Sequence, residues 1–191
     1  MTPHEILSQA SAIQGWMEPE ELLWLIDAAK GKKLIVEVGS WKGRSTKALA
    51  LSCAGAVYAV DHWEGSEDER FASQNEAVRI GADLMLDIFK KNLAPEIASG
   101  KVIPIQADSE EAMPLVEKAL AGRKADMVFL DGDHRYEPTK RDIENYRKFL
   151  EPGGLLCGHD YWHDHPGVVQ AVNETVPGFK QGARAIWYKV E

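Results

Sequence analysis

Glu37, Asp61, Asp108, Asp131 and Asp160 each close or follow a short apolar run. One acid in such a place is an ordinary turn residue. Five set a row of carboxylates along one rim of a sheet, offering acceptors to hydroxyl, amino or cationic groups. Two histidines join the row: His134 comes three residues after Asp131, and His159 directly precedes Asp160. An imidazole titrates near neutral pH and can take a proton from a reacting hydroxyl. A lone histidine after a strand is more often structural, but two neighbouring strand-end acids favour a chemical role for His134. For His159 the two readings balance. Asp133 reads as a helix cap, and His163 and His165 as residues of a solvated loop in preference to lining an acceptor pocket.

The first acid also opens a second pattern. Glu37-Val38-Gly39-Ser40-Trp41-Lys42-Gly43 follows an apolar run and leads into a helical one. A dinucleotide fingerprint would need glycine where Trp41 stands. A pyrophosphate loop also avoids a carboxylate such as Glu37. S-Adenosylmethionine carries a sulfonium and an amino group and no phosphate, so an acid-flanked glycine loop suits it. Gly39 lets backbone approach the ligand, Ser40 and Trp41 border it, and Gly43 allows close packing of the next helix. Asp61 falls 22 residues after Gly39. From there a carboxylate accepts hydrogen bonds from both ribose hydroxyls. His62 lies beside it, and Asp108 with Ser109 is placed to meet the adenine amino group. Without Asp61 at this spacing, Gly39 and Gly43 would be ordinary turn glycines.

The elements that must hold these residues alternate. Apolar runs at 34–38, 57–60, 102–105, 127–130, 155–157 and 185–188 read as strands, and Pro104 assigns the third to an edge. Helical spacing recurs at 20–29, at 45–52, at Leu84, Ile88 and Phe89, at Met113, Val116 and Leu120, and at Ile143, Tyr146 and Leu150. Ser109 ahead of Glu110 and Glu111 reads as a helix start, and Pro152-Gly153-Gly154 as a stop. Alternating strands and helices make an α/β fold with a mostly parallel sheet, whose ligands sit beyond the carboxyl ends of the strands. Trp41 and Trp63 either border the cofactor or pack in the core.

The composition, 45% hydrophobic and 27% charged, is that of an ordinary globular protein. The length suits one domain over 1–191, with a helical segment at 1–30 and a lid at 62–80. A net charge of −8 disfavours nucleic acid as a bulk partner. No apolar run approaches ~20 residues, so no membrane span is expected, and the first residues do not read as a signal peptide. Cys53 and Cys157 sit in apolar runs and suit a reducing, cytoplasmic setting. The expected partner is a small hydroxylated molecule; a homo-oligomer is left open.

The pieces VEVGSWKGRST (36–46), YAVDHW (58–63), ADSEEA (107–112), FLDGDHRYEPTKRDI (129–143) and LEPGGLLCGHDY (150–161) resemble class I S-adenosylmethionine-dependent methyltransferases. The narrower resemblance is to small macrocin/mycinamicin-type O-methyltransferases. It implies a Rossmann-like fold with strand order 3-2-1-4-5-7-6 and helices on both faces. The last strand is then antiparallel and the sixth reduced, because little chain follows Val172.

The resemblance also places Asp131 and Asp160 on adjacent strands, ~4.8 Å apart. Two carboxylates there repel unless a cation lies between them or one is protonated. Metal-dependent relatives carry carboxylates at these strand ends, and Mg²⁺ is the natural hard ion. His159 stands where some relatives have another acid, and imidazole suits Mn²⁺, Zn²⁺ or Fe²⁺ better. The implied ligands are Asp131, His159 and Asp160, with Asp131 also bordering the cofactor. His134 matches the general base of relatives, in an in-line methyl transfer to a hydroxyl. The rival readings are a non-catalytic S-adenosylmethionine-binding protein and a nicotinamide-dependent oxidoreductase of similar architecture. A hydrolase lacks its Gly-x-Ser-x-Gly elbow.

Overall fold

The computed structural model describes residues 1–65 and 79–191. The expected lid at 62–80 lies largely outside them. Two helices come first, α1 (Pro3–Ser11) and α2 (Pro19–Ala28). Thr2 opens α1 through a reciprocal box with Glu5, satisfying amides that a helix start leaves without partners. Then follow β1 (Leu34–Val38), α3 (Arg44–Ser52), β2 (Ala56–Asp61), α4 (Ala82–Asn92), α5 (Ala94–Ala98) and β3 (Val102–Gln106). The chain continues through α6 (Met113–Leu120), β4 (Ala125–Leu130), α7 (Tyr136–Tyr146), β5 (Leu150–Gly158), α8 (Pro166–Thr175), β6 (Lys180–Gln181) and β7 (Trp187–Val190).

The sheet order is β3-β2-β1-β4-β5-β7-β6. The first five strands run parallel, β7 pairs antiparallel with β5, and β6 has only two residues. Pro104 does lie on the edge strand, where its missing amide costs no central ladder bond.

Alternation within each strand divides the core. Ile35, Val57, Ala59, Met127, Phe129 and Cys157 face α1 to α4. Val36, Val38, Tyr58, Val60, Val128 and Leu156 face α6 to α8. Both faces are covered, which is why the strands read as unbroken apolar runs rather than polar–apolar repeats. No helix among the described residues is long and apolar enough to cross a membrane.

Local details differ from expectation. In α4 the buried face is Met85, Leu86 and Phe89, and Leu84 is exposed, because Phe89 packs against Trp63 and the Gly43 turn. Leu150 opens β5 instead of ending α7, after a single 3₁₀ turn at Arg147–Phe149. Ser109 caps nothing: Ala112 precedes α6, and the Ser109 hydroxyl donates to Asp142 at 2.7 Å. The last strand begins at Trp187 rather than Ala185, since the Ala185 amide donates to Glu21 and is lost to the ladder.

Candidate active site

The parallel ladder runs one residue past each strand, and this aligns the acids. The Gly39 amide donates to the Val60 carbonyl, Asp131 to Val38, and His159 to Leu130, at 2.9, 2.8 and 3.0 Å. Asp61, Gly39, Asp131 and His159 therefore stand side by side at the carboxyl edge of β2, β1, β4 and β5. At Gly39, where φ is +87°, a Cβ would sit 2.0 Å from the Asp131 carbonyl oxygen. Only glycine permits this approach, so the β1 loop and the β4 end touch.

Asp61 organises that loop. One of its oxygens accepts the Ser40 and Trp41 amides at 2.9 and 2.7 Å, and the other accepts Trp63 at 2.6 Å. Trp41 adopts φ +42° here, a conformation a bulky residue rarely takes unless its surroundings dictate it. Gly43 caps α3 at φ +92°, and a Cβ there would meet Leu93 at 2.2 Å. Trp63 is buried, packs at a tilt against Phe89, and donates its indole N–H to the Trp41 carbonyl, so it packs and braces the loop. His62 Nδ1 accepts the Glu64 amide, and Asp108 accepts the Glu110 amide.

Glu37 lies within β1, not beyond it, and is wholly buried. Its carboxylate accepts from the hydroxyls of Ser40, Ser45 and Thr46. Burial pushes its carboxyl up to about 7 despite those bonds. Glu37 thus joins the loop to the start of α3 through its three hydroxyl partners.

Around Asp160 the side chains converge. His134 Nε2 lies 3.0 Å from Oδ2, while His159 Nδ1 and His165 Nε2 lie 3.2 and 3.4 Å from Oδ1. His159 Nδ1 is also 3.4 Å from Asp131 Oδ1. The His134 and His165 rings pack at a tilt, with centroids 4.4 Å apart. Asp160 holds φ +59°, the turn that directs its carboxylate back at the histidines.

Burial alone would raise Asp160 and lower the histidines. Hydrogen bonds and charge reverse both: Asp160 falls well below the usual carboxylate range, and His134 and His159 rise. Asp131 moves the other way, pushed up to about 6, chiefly by burial.

The donor set suits a divalent ion. Asp131, His159 and Asp160 each offer a ligand atom, all within 4.8 Å of one another. Ligands at ~2.1 Å from an octahedral ion stand about 3 Å apart when adjacent and about 4.2 Å when opposite. One nitrogen among oxygens fits Mn²⁺ or Fe²⁺ better than Mg²⁺. Beside this cluster lies an open cleft reaching His159, Asp160 and His165, with Trp16, Trp162 and Arg184 on its walls.

Three site residues escaped the sequence reading. His165 was expected in a solvated loop, yet it stands beside Asp160 and His134, whereas His163 is exposed. Glu21, from α2, places Oε1 3.1 Å from His159 Nε2. An acid beside Leu22, Leu25 and Ile26 on a core-facing helix was the available signal. Asp142, buried and raised to about 6, holds Ser109. Asp133 does not cap α7 as expected; it accepts the Arg135 amide and pairs with the Arg135 guanidinium.

Residues 36–161 match the family described as Methyltransferase domain. Among curated proteins, 59 residues are 37% identical to Uncharacterized protein R132 of Acanthamoeba polyphaga mimivirus, covering 30% of this chain and 27% of that protein. A further 143 residues are 25% identical to Uncharacterized protein y4gI of Sinorhizobium fredii, covering 72% and 14%. The chain thus spans less than a third of either relative. Among solved structures, an O-methyltransferase from Bacillus cereus in complex with SAH superposes with TM-score 0.65 at 16% identity, over 99% of this chain and 90% of that one. The O-methyltransferase TomG from Streptomyces achromogenes, in complex with SAM, gives 0.65 at 17%, over 97% and 89%. At these identities the likeness is one of fold.

Proposed function

This chain belongs to the methyltransferase-domain family that its residues 36–161 match, and on that premise we propose that it transfers a methyl group from S-adenosylmethionine to a hydroxyl of a small molecule, aided by a divalent cation. The observation that carries the reading is the contact between two machineries. The Asp61-held glycine loop meets the acid–histidine cluster at Gly39 and Asp131.

S-Adenosylmethionine, when bound, supplies the methyl group: its S–CH₃ bond breaks as an O–CH₃ bond forms, and the sulfonium leaves as a thioether. A divalent ion, when bound, lowers the pKa of an acceptor hydroxyl. Gly39 to Gly43 offer a backbone surface for the cofactor. Asp61 fixes that surface and keeps lone pairs for the ribose, and Asp108 and Ser109 lie at the adenine end. Asp131, His159 and Asp160 hold the ion. His134 donates Nε2–H to Asp160 and takes the acceptor's proton on its other ring nitrogen, Nδ1, and Asp160 steadies the imidazolium that results. The cleft between Trp16 and Trp162 admits the acceptor. Holding both reactants in line supplies much of the acceleration.

The test has two parts. Calorimetry should give micromolar affinity for S-adenosylmethionine, and a panel of small hydroxylated compounds should yield S-adenosylhomocysteine. An absence of heat at high ligand concentration defeats the cofactor assignment. Binding without turnover on any acceptor supports the non-catalytic alternative, and full activity in excess chelator removes the cation alone.

A further inference from the structure

We propose that Glu21 is a positioning residue that sets His159 for the cation, so that the N-terminal helices complete the site from outside the matched segment. The inference rests on the cation reading above. Glu21 stands in the first turn of α2 and is 2% exposed. A carboxylate this buried is costly unless its oxygens are occupied. Oε2 accepts the Glu18 amide at 2.8 Å, and Oε1 accepts the Ala185 amide at 3.1 Å. The same Oε1 lies 3.1 Å from His159 Nε2.

His159 is itself buried, and its two nitrogens face different partners. Nδ1 lies 3.4 and 3.2 Å from Asp131 and Asp160, while Nε2, buried without a well-aligned hydrogen bond, has the Glu21 carboxylate 3.1 Å away. A ligating imidazole must present a lone pair to the ion and keep its proton on the other nitrogen. The Glu21 carboxylate stabilises the proton on Nε2, which leaves Nδ1 for the ion shared with the two aspartates. A carboxylate behind a ligating histidine orients the ring and raises its basicity. Glu21 also clips α2 to the turn before β7 through Ala185, so the experiment must separate orientation from clipping.

The full-length chain, without cofactor or acceptor, is titrated with Mn²⁺ by calorimetry. Glu21→Gln should weaken Mn²⁺ by about 10–100-fold while the protein keeps its fold, and Asp131→Asn should weaken it further. In parallel, the ¹⁵N spectrum of unsubstituted protein with diamagnetic Zn²⁺ should show His159 protonated at Nε2. Affinity in Glu21→Gln within twofold of wild type overturns the inference, as does a Zn²⁺ complex with the proton on Nδ1. If Glu21→Gln does not fold, the spectrum of the unsubstituted protein decides. Wild type that binds neither ion overturns both this inference and the cation part of the proposed function, and leaves S-adenosylmethionine binding intact.

Discussion

His134 Nε2 lies 3.0 Å from Asp160 Oδ2, so on the proposed mechanism the base is held by one of the cation ligands. The two would then form one assembly, and a change in either would move the other. The glycine loop would stay apart from it, because a different acid, Asp61, holds that loop.

His134→Gln should keep much of the side-chain volume but accept no proton. Turnover is expected to fall by about 10²–10⁴-fold, as for loss of a general base. Affinity for S-adenosylhomocysteine should stay within about twofold, since no loop contact is touched. Turnover near the wild-type rate would assign the proton to another group.

Asp61→Ala removes the acceptor of three backbone amides, those of Ser40, Trp41 and Trp63. Leaving buried donors without partners costs about 1–3 kcal/mol. S-Adenosylmethionine affinity should drop by roughly 10–100-fold, following the same principle. The rate at saturating cofactor should change far less than in His134→Gln. Unchanged affinity by calorimetry would mean that the loop keeps its shape without Asp61.

Glu37 carries a pH dependence whose sign is fixed by burial. Its carboxyl titrates at about 7 in the folded protein, against 4.5 for an ordinary glutamate. Between these values the folded chain holds a proton that the unfolded chain has released. Its stabilising contribution is whole below pH ~4.5 and is lost as pH rises through ~7. The loss is on the order of 3 kcal/mol. Denaturant unfolding between pH 5 and 8 should show this decline relative to Glu37→Gln. Parallel curves for the two proteins would remove Glu37 as the cause.

Gly39→Ala puts a Cβ where the Asp131 carbonyl stands, on a backbone at φ +87°. Strain and overpacking together should cost about 2–4 kcal/mol, and the β1–β4 rim should part. The denaturation midpoint should fall and S-adenosylmethionine affinity with it. A midpoint equal to that of wild type would show that the two loops separate freely.

The strands and the acids that close them are legible along the chain. Buried parallel strands must be apolar throughout, so 34–38 and 127–130 stand out, and the polar residues that follow must lie at the sheet's edge. Glycine at 39 and 43 announced tight backbone, because few other residues tolerate it. Pro104 announced an edge. Tertiary structure alone decided what each acid does there. Glu37 and Asp61 are both strand-end acids in the sequence, yet one is sealed among hydroxyls and the other grips the loop's amides. The same holds for Glu21 and His165, whose neighbours in sequence say nothing of His159 or Asp160. Local periodicity reports which face is buried. Only the folding of distant segments against one another determines which polar atoms meet.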